Sequence, residues 1–220
     1  LRLADAYQRT NNPAYGATLE KLLAYYPKKD YWSAHLARLP RKPGFADRYA
    51  LDVMRLRLAS GTMSKTEDFM EMAQLALQAG YPAEAKKIVE RGFAAGALGT
   101  GAEAERHKRL SDLALKQDAE SSASIATRAA EAAAAKDGNA LVQAGYVYVT
   151  MGEVDKGIAL IEQGIAKGGL KRPEDGKLRL GMAQLQSGKG KAKAQQTLRS
   201  VQGSDGSADI ARLWILMGNA

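Results

Sequence analysis

The chain predicts an all-α fold: a right-handed superhelical solenoid of about six antiparallel helix-turn-helix repeats, closed by a C-terminal capping helix. Three observations predict it. Alanine supplies 40 of the 220 residues, and with Leu, Lys, Gln and Glu it loses little conformational freedom in a helix. A spacing of small and large residues recurs along the chain with a period near 36. Gly- and Pro-containing breaks fall between the helical stretches, at Pro40 to Gly44, Gly99 to Gly101, Asp137-Gly138, Gly168-Gly169 and Gly203 to Gly206.

The period is carried by Ala73, Ala76, Gly80, Ala85, Val89 and Gly92, at successive offsets of three, four, five, four and three. The same offsets return 72 residues later at Gly145, Tyr148, Gly152, Gly157, Ile161 and Gly164. Half of 72 is 36. A further copy beginning at Gly181 places Gly188 at its turn, then slips by one residue to Ala194, Leu198 and Val201. Small residues where two helices cross let the backbones approach, and a large residue three or four places away fills the neighbouring hole.

The elements follow in order. Leu3, Ala4 and Tyr7 predict a helix over 1–9, and Leu19, Leu22 and Leu23 one over 13–26, ended by Pro27. Helices at 30–39 and 45–60 carry Trp32, Phe45 and Tyr49, with a wider kink between repeats. Ser64-x-x-Glu67 reads as a capping box opening 66–79, whose apolar face is Phe69, Met72, Ala73 and Ala76. Gly80 ends that helix, and Pro82 occupies the first turn of 82–95, where its missing N–H costs nothing. Helices at 102–118, 120–136, 139–151, 154–167, 174–187 and 190–201 continue the array. The last, 207–218, packs Ile210, Leu213, Trp214 and Met217 as the end cap that a solenoid requires or as the start of a further repeat. The whole of 1–220 is thus one domain, with repeats at 1–29, 30–63, 64–100, 101–137, 138–171 and 172–203 and the cap at 204–220.

Composition narrows the function. No cysteine means no disulfide, thiolate metal site, Fe–S cluster or cysteine nucleophile. No apolar run approaches the roughly 20 residues that span a bilayer. The net charge of +8 is split: +6 over residues 1–60, −2 over 61–120, −1 over 121–170 and +5 over the last fifty. A nucleic-acid binder favours one contiguous basic stripe with interleaved aromatics, so the basic residues read first as solvated faces. Lys28-Lys29 and Arg41-Lys42 sit in loops, where they are solvated or meet an anionic partner or lipid headgroups.

The tests for chemistry fail. His35 and His107 lie 72 residues apart without evident convergent partners for a triad or a metal. Glu67/Asp68/Glu71 and Glu103/Glu105 are ordinary charges of amphipathic helices. The run Gly188 to Lys193 looks like the end of a P-loop but lacks the Ser/Thr and the upstream glycine, and follows a helix. Gly99-Thr100-Gly101 has no preceding strand. No catalytic, cofactor-binding or metal-ligating residue is assigned, no cofactor is expected, and the chain reads as non-enzymatic.

The runs AQLALQAGYPAEAKKIVERG from Ala73 and AGYVYVTMGEVDKGIALIEQG from Ala144, with Leu180-Gly181 and Gly188, resemble the tetratricopeptide repeat, a helix-turn-helix unit of about 34 residues. Sel1-like repeats are the nearest structural alternative. The resemblance implies a concave groove that holds a peptide or helix of a partner protein, lined by Met70, Gln74, Leu77, Val142, Tyr146, Val149, Leu178, Arg179, Met182 and Leu185. The family's best-known subgroup clamps an acidic carboxylate with Lys and Asn in this groove, but the corresponding places here are mostly apolar. An amphipathic helix or hydrophobic peptide is the occupant such a lining suits. The PKKDYW run and the Ala/Lys-rich character are similar to exported tetratricopeptide proteins of Gram-negative bacteria. That implies a periplasmic or envelope location, with the cytoplasm as the alternative, and Leu1 reads as a processed or trimmed start. The competing reading is an electrostatic binder of nucleic acid or an anionic envelope surface through the basic ends.

Overall fold

The computed structural model describes Tyr7, Arg9 and residues 14–219. The helix expected over 1–9, with Leu3 and Ala4, otherwise lies outside the described residues. Among the described residues the chain is all-α: eleven α-helices, two short 3-10 turns and no strand. None of these helices is long and apolar enough to cross a membrane. Where the sequence predicts one run of repeats over 1–220, the chain divides into two compact units, residues 1–63 with 203–220, and residues 64–202.

The first unit contains α1 (Tyr15–Tyr25), α2 (Lys29–Arg38), the 3-10 turns Leu39–Arg41 and Asp47–Tyr49, α3 (Ala50–Ala59) and α11 (Ser207–Met217). The two turns occupy the place of the expected kink, and the α-helix expected from residue 45 begins only at Ala50. Its core is Leu19, Leu23, Trp32, Leu36, Tyr49, Leu56, Ile210 and Leu213, each at most 2% exposed. The terminal helix, expected as the end cap of the repeats, packs here against α1 and α3. Its apolar stripe is therefore part of this unit's core.

Hydrogen bonds tie the entry of α11 to the α2–α3 connection. The Ala46 N–H donates to the Asp205 carbonyl at 2.9 Å. The Asp205 carboxylate accepts the Ser207 hydroxyl at 2.8 Å and the Ser207 N–H at 3.2 Å, and pairs with Arg48. Burial alone would raise the Asp205 carboxyl, but the Ser207 and Arg48 bonds outweigh it and lower its pKa to about 2.

The second unit runs α4 (Thr66–Gln78), α5 (Pro82–Ala94), α6 (Ala104–Ala134), α7 (Asn139–Met151), α8 (Val154–Lys167), α9 (Pro173–Gln186) and α10 (Lys191–Arg199). Each helix packs on the next, and α4 also meets α6, α5 meets α7, and α7 meets α9. The cap of α4 sits one residue beyond the expected capping box. The Asp68 carboxylate, not Glu67, accepts the N–H groups of Ser64 and Lys65, both at 3.2 Å.

The turn glycines do what their spacing predicts. Gly80, Gly152 and Gly188 have φ of +79°, +98° and +66°, a region that side-chain-bearing residues rarely adopt. Two of these turns close alike, with the Tyr81 N–H on the Ala76 carbonyl at 2.8 Å and the Glu153 N–H on the Tyr148 carbonyl at 3.0 Å. The segment 102–136 departs from expectation. It is one unbroken helix of 31 residues, about 46 Å long at 1.5 Å per residue. No Gly or Pro lies between Gly101 and Gly138, so the Asp118-Ala119-Glu120 stretch has nothing to stop a helix.

The tightest packing joins α7 to α8. A Cβ placed on Gly145 would lie 2.7 Å from the Gly157 carbonyl oxygen, and one on Gly157 would lie 2.5 Å from that of Gly145. Before the start of α7, a Cβ on Gly138 would lie 1.8 Å from the Gly164 carbonyl oxygen. In the earlier copy of the pattern, Ala73 and Ala85 hold the equivalent places and are fully buried.

Two outcomes follow from these contacts. Gly157→Ala forces backbone apart, and overpacking of this kind costs about 1–3 kcal/mol; a thermal melt of the full chain should show the loss, whereas Gly152→Asn, at an open turn, should lose less. The Asp205 carboxyl is depressed in the folded state, so its stabilisation is present above the unfolded pKa and disappears as pH falls from about 4 toward about 2. Asp205→Asn should therefore flatten that acid limb in a pH series of melts and leave a less stable protein at neutral pH.

Candidate functional site

Of the residues expected to line a groove, Val142 and Arg179 border one open cavity of about 410 Å³ in the second unit. The preceding turn contributes Tyr81, α7 contributes Asn139 and Gln143, the α8–α9 connection contributes Lys171 and Arg172, and α9 contributes Asp175. Tyr146 lies beneath them, buried, with its ring edge-on to Tyr81 at 5.2 Å and the Arg179 guanidinium 5.1 Å above its centroid. Arg179 also donates to the Met182 sulfur at 3.5 Å. The guanidinium thus contacts both an aromatic face and a thioether at the cavity.

The rest of the expected lining distributes differently. Met70, Val149, Leu178 and Met182 are buried, Leu77 and Leu185 are half-buried, and Gln74 is exposed. Val149 packs at the α7–α8 contact, where its Cγ2 stands 2.5 Å from the position of a Cβ on Gly157. The α4 residues Met70, Gln74 and Leu77 do not border this cavity. Its accessible lining is consequently more polar and more cationic than the sequence suggests.

The amide side chains at this site build it. Gln143 accepts the Tyr81 hydroxyl at 3.0 Å and donates to the Ala79 carbonyl at 3.0 Å, joining α7 to the α4–α5 turn. Asn139 donates to Asp137 at 2.7 Å and to the Gly169 carbonyl at 3.1 Å, and accepts the Lys171 N–H at 3.0 Å. The Asp137 carboxyl is held below its ordinary value by the backbone and side-chain bonds of Asn139. With both amides engaged internally, the cations at this cavity are Lys171, Arg172 and Arg179. Tyr81, Asn139 and Gln143 escaped the sequence reading, although Tyr81 before Pro82 and Asn139 after Gly138 mark element boundaries.

Basic runs singled out in the sequence fall into place. Lys189 and Lys193 pair with Asp155 at 2.7 Å and Glu162 at 2.8 Å, so the Gly188 to Lys193 turn is braced against α8. The His107 Nδ1 accepts the Gly99 N–H at 3.1 Å and is buried, a structural role in the turn before α6.

His35 differs. It is 6% exposed and lies on a cavity of about 740 Å³ in the first unit, with Glu20 and Asp209. Its Nε2 is 3.7 Å from a Glu20 oxygen and has no hydrogen-bond partner among the described residues. Burial lowers its pKa against the opposing pull of Glu20 and Asp209, while Arg212 and Lys42 lower it further. Asp209 accepts Lys42 at 2.7 and 2.9 Å and also pairs with Arg212, which reaches Glu20 at 3.3 and 3.4 Å. These carboxylates arrive from α1 and α11, nearly two hundred residues apart, which is why no local spacing revealed them. Among the described residues no group of three or more His, Cys, Asp or Glu is placed to hold a metal ion.

No protein-family model, curated protein or solved structure matches the chain.

Proposed function

We propose that the chain acts by binding rather than catalysis, as a protein-interaction scaffold of the tetratricopeptide type whose helices 64–202 form a short α-solenoid. Its ligand is a partner peptide carrying an acidic residue next to an apolar one. The observation that carries this reading is Arg179, half-buried at the cavity, with its guanidinium over the Tyr146 ring and Val142 beside it. A cation fixed on an aromatic face loses little side-chain freedom when it meets a carboxylate, so more of the interaction survives as affinity. Lys171 and Arg172 extend the positive edge, and Asp175 limits it. The buried methionines and leucines of α4 and α9 then serve as packing, which leaves a groove more mixed in character than the mostly apolar one expected.

Selection from a random peptide library on the immobilised full chain, followed by anisotropy titration of the enriched sequences, tests the reading. Enriched peptides should carry Asp or Glu adjacent to an apolar residue. Arg179→Gln should weaken them about tenfold, or about 1.4 kcal/mol, without lowering the melting temperature. Binding should lose little between low and moderate salt, since one or two charges are involved. A steep salt dependence with duplex or single-stranded nucleic acid, and no peptide enriched, would favour the electrostatic reading instead.

A further inference from the structure

We propose that the first unit holds a second, independent ligand site, the cavity bordered by α1, α2 and α11, and that it takes a small molecule bearing a tetrahedral dianionic oxyanion group, phosphoryl or sulfuryl. Charge complementarity is the first argument. The border carries four cations, Arg38, Arg41, Lys42 and Arg212, against two carboxylates, Glu20 and Asp209, a local charge of +2 with His35 neutral. Both carboxylates are already engaged by Arg212, and Asp209 by Lys42 as well. A dianion neutralises what remains.

The second argument is His35. Its imidazole is more than nine-tenths buried at the cavity, and the Nε2 has no hydrogen-bond partner among the described residues. Burying such a nitrogen without a partner costs on the order of 1–3 kcal/mol, and an oxyanion oxygen offsets that cost by accepting a hydrogen bond from its N–H. The four cations are exposed around this buried floor, and they come from the end of α2, the turn after it, and α11. Contacts from several directions suit a tetrahedral group better than a flat carboxylate. The volume, about 740 Å³, lies within the range of small-molecule sites and exceeds a bare anion. Gly16, Ala17, Leu39 and Pro43 supply an apolar side for an organic remainder.

The charges facing His35 set the direction of a pH effect. Glu20 from α1 and Asp209 from α11 favour the imidazolium, whereas Arg212 and Lys42 oppose it along with burial. A bound dianion adds to the first group, so binding draws a proton onto His35 and tightens as pH falls. Sulfate is the cleanest probe, because its own charge does not change near neutrality.

The experiment titrates the full chain with sodium sulfate, with glycerol phosphate, and with sodium chloride at matched ionic strength, following the His35 ring proton by NMR and heat by calorimetry. Both oxyanions should saturate and move the His35 resonance, with sulfate several-fold tighter near pH 6 than near pH 7.5. Arg41→Gln should weaken binding about tenfold, and an unchanged melting temperature shows that it folds. His35→Gln should abolish the pH dependence. Tighter glycerol phosphate than sulfate assigns the site to an organic phosphate, and equal affinity assigns it to the free ion. A response matched by chloride, saturation without movement of His35, or full affinity in folded Arg41→Gln would each overturn the proposal.

Discussion

Two helices of the second unit meet backbone to backbone, and the candidate peptide site depends on that meeting. Gly145 and Gly157 each stand where the other's carbonyl leaves no room for a Cβ. A contact this close brings the α7 and α8 backbones together, with Val142, Val149 and Ile161 packed beside the glycines, while other large residues of α7 reach elsewhere. Tyr146 goes beneath Arg179 and against Tyr81. Gln143 reaches the α4–α5 turn. At its other end the same pairing brings Gly138 and Gly164 into contact, and the Gly138 N–H donates to the Gly168 carbonyl at 2.9 Å. Asn139 is thereby set to shape the α8–α9 connection that bears Lys171 and Arg172.

Helix identity and turn position were legible in the sequence because both are local. Gly80, Gly152 and Gly188 mark turns through backbone freedom, and Pro82 marks a helix start through its missing donor. The segment 102–136 misled because its expected break at Asp118-Ala119-Glu120 rested on the period alone, with no residue there that ends a helix. The division of the chain was also hidden. An amphipathic stretch such as Ile210, Leu213 and Trp214 announces that it will be buried but not against which partner, and residues far away in sequence decide that.

The candidate sites were less legible for a related reason. An apolar residue at helical spacing serves core and groove equally well on paper, and Val149 and Leu178 went to the core. What marks a candidate binding residue here is a polar end resting on an aromatic face, as in Arg179, and that requires a cross-helix neighbour. His35 shows the same limit more sharply. As a lone histidine it suggests nothing, yet the fold sets it beside Glu20 and near a lysine, an aspartate and an arginine from elsewhere in the chain. Arg41-Lys42 was visible as a basic loop, and only the fold gives that loop a cavity to face.

The glycine contact, as the constraint that positions the α7–α9 face, is tested most directly by native-state hydrogen exchange on the full chain. The account predicts that amides of α7 and α8 flanking Gly145 and Gly157 exchange slowest in the 64–202 unit, and open together with those of α9 only at the free energy of global unfolding. Slowest exchange in the long helix α6, with α7 and α8 opening independently at low cost, would contradict it.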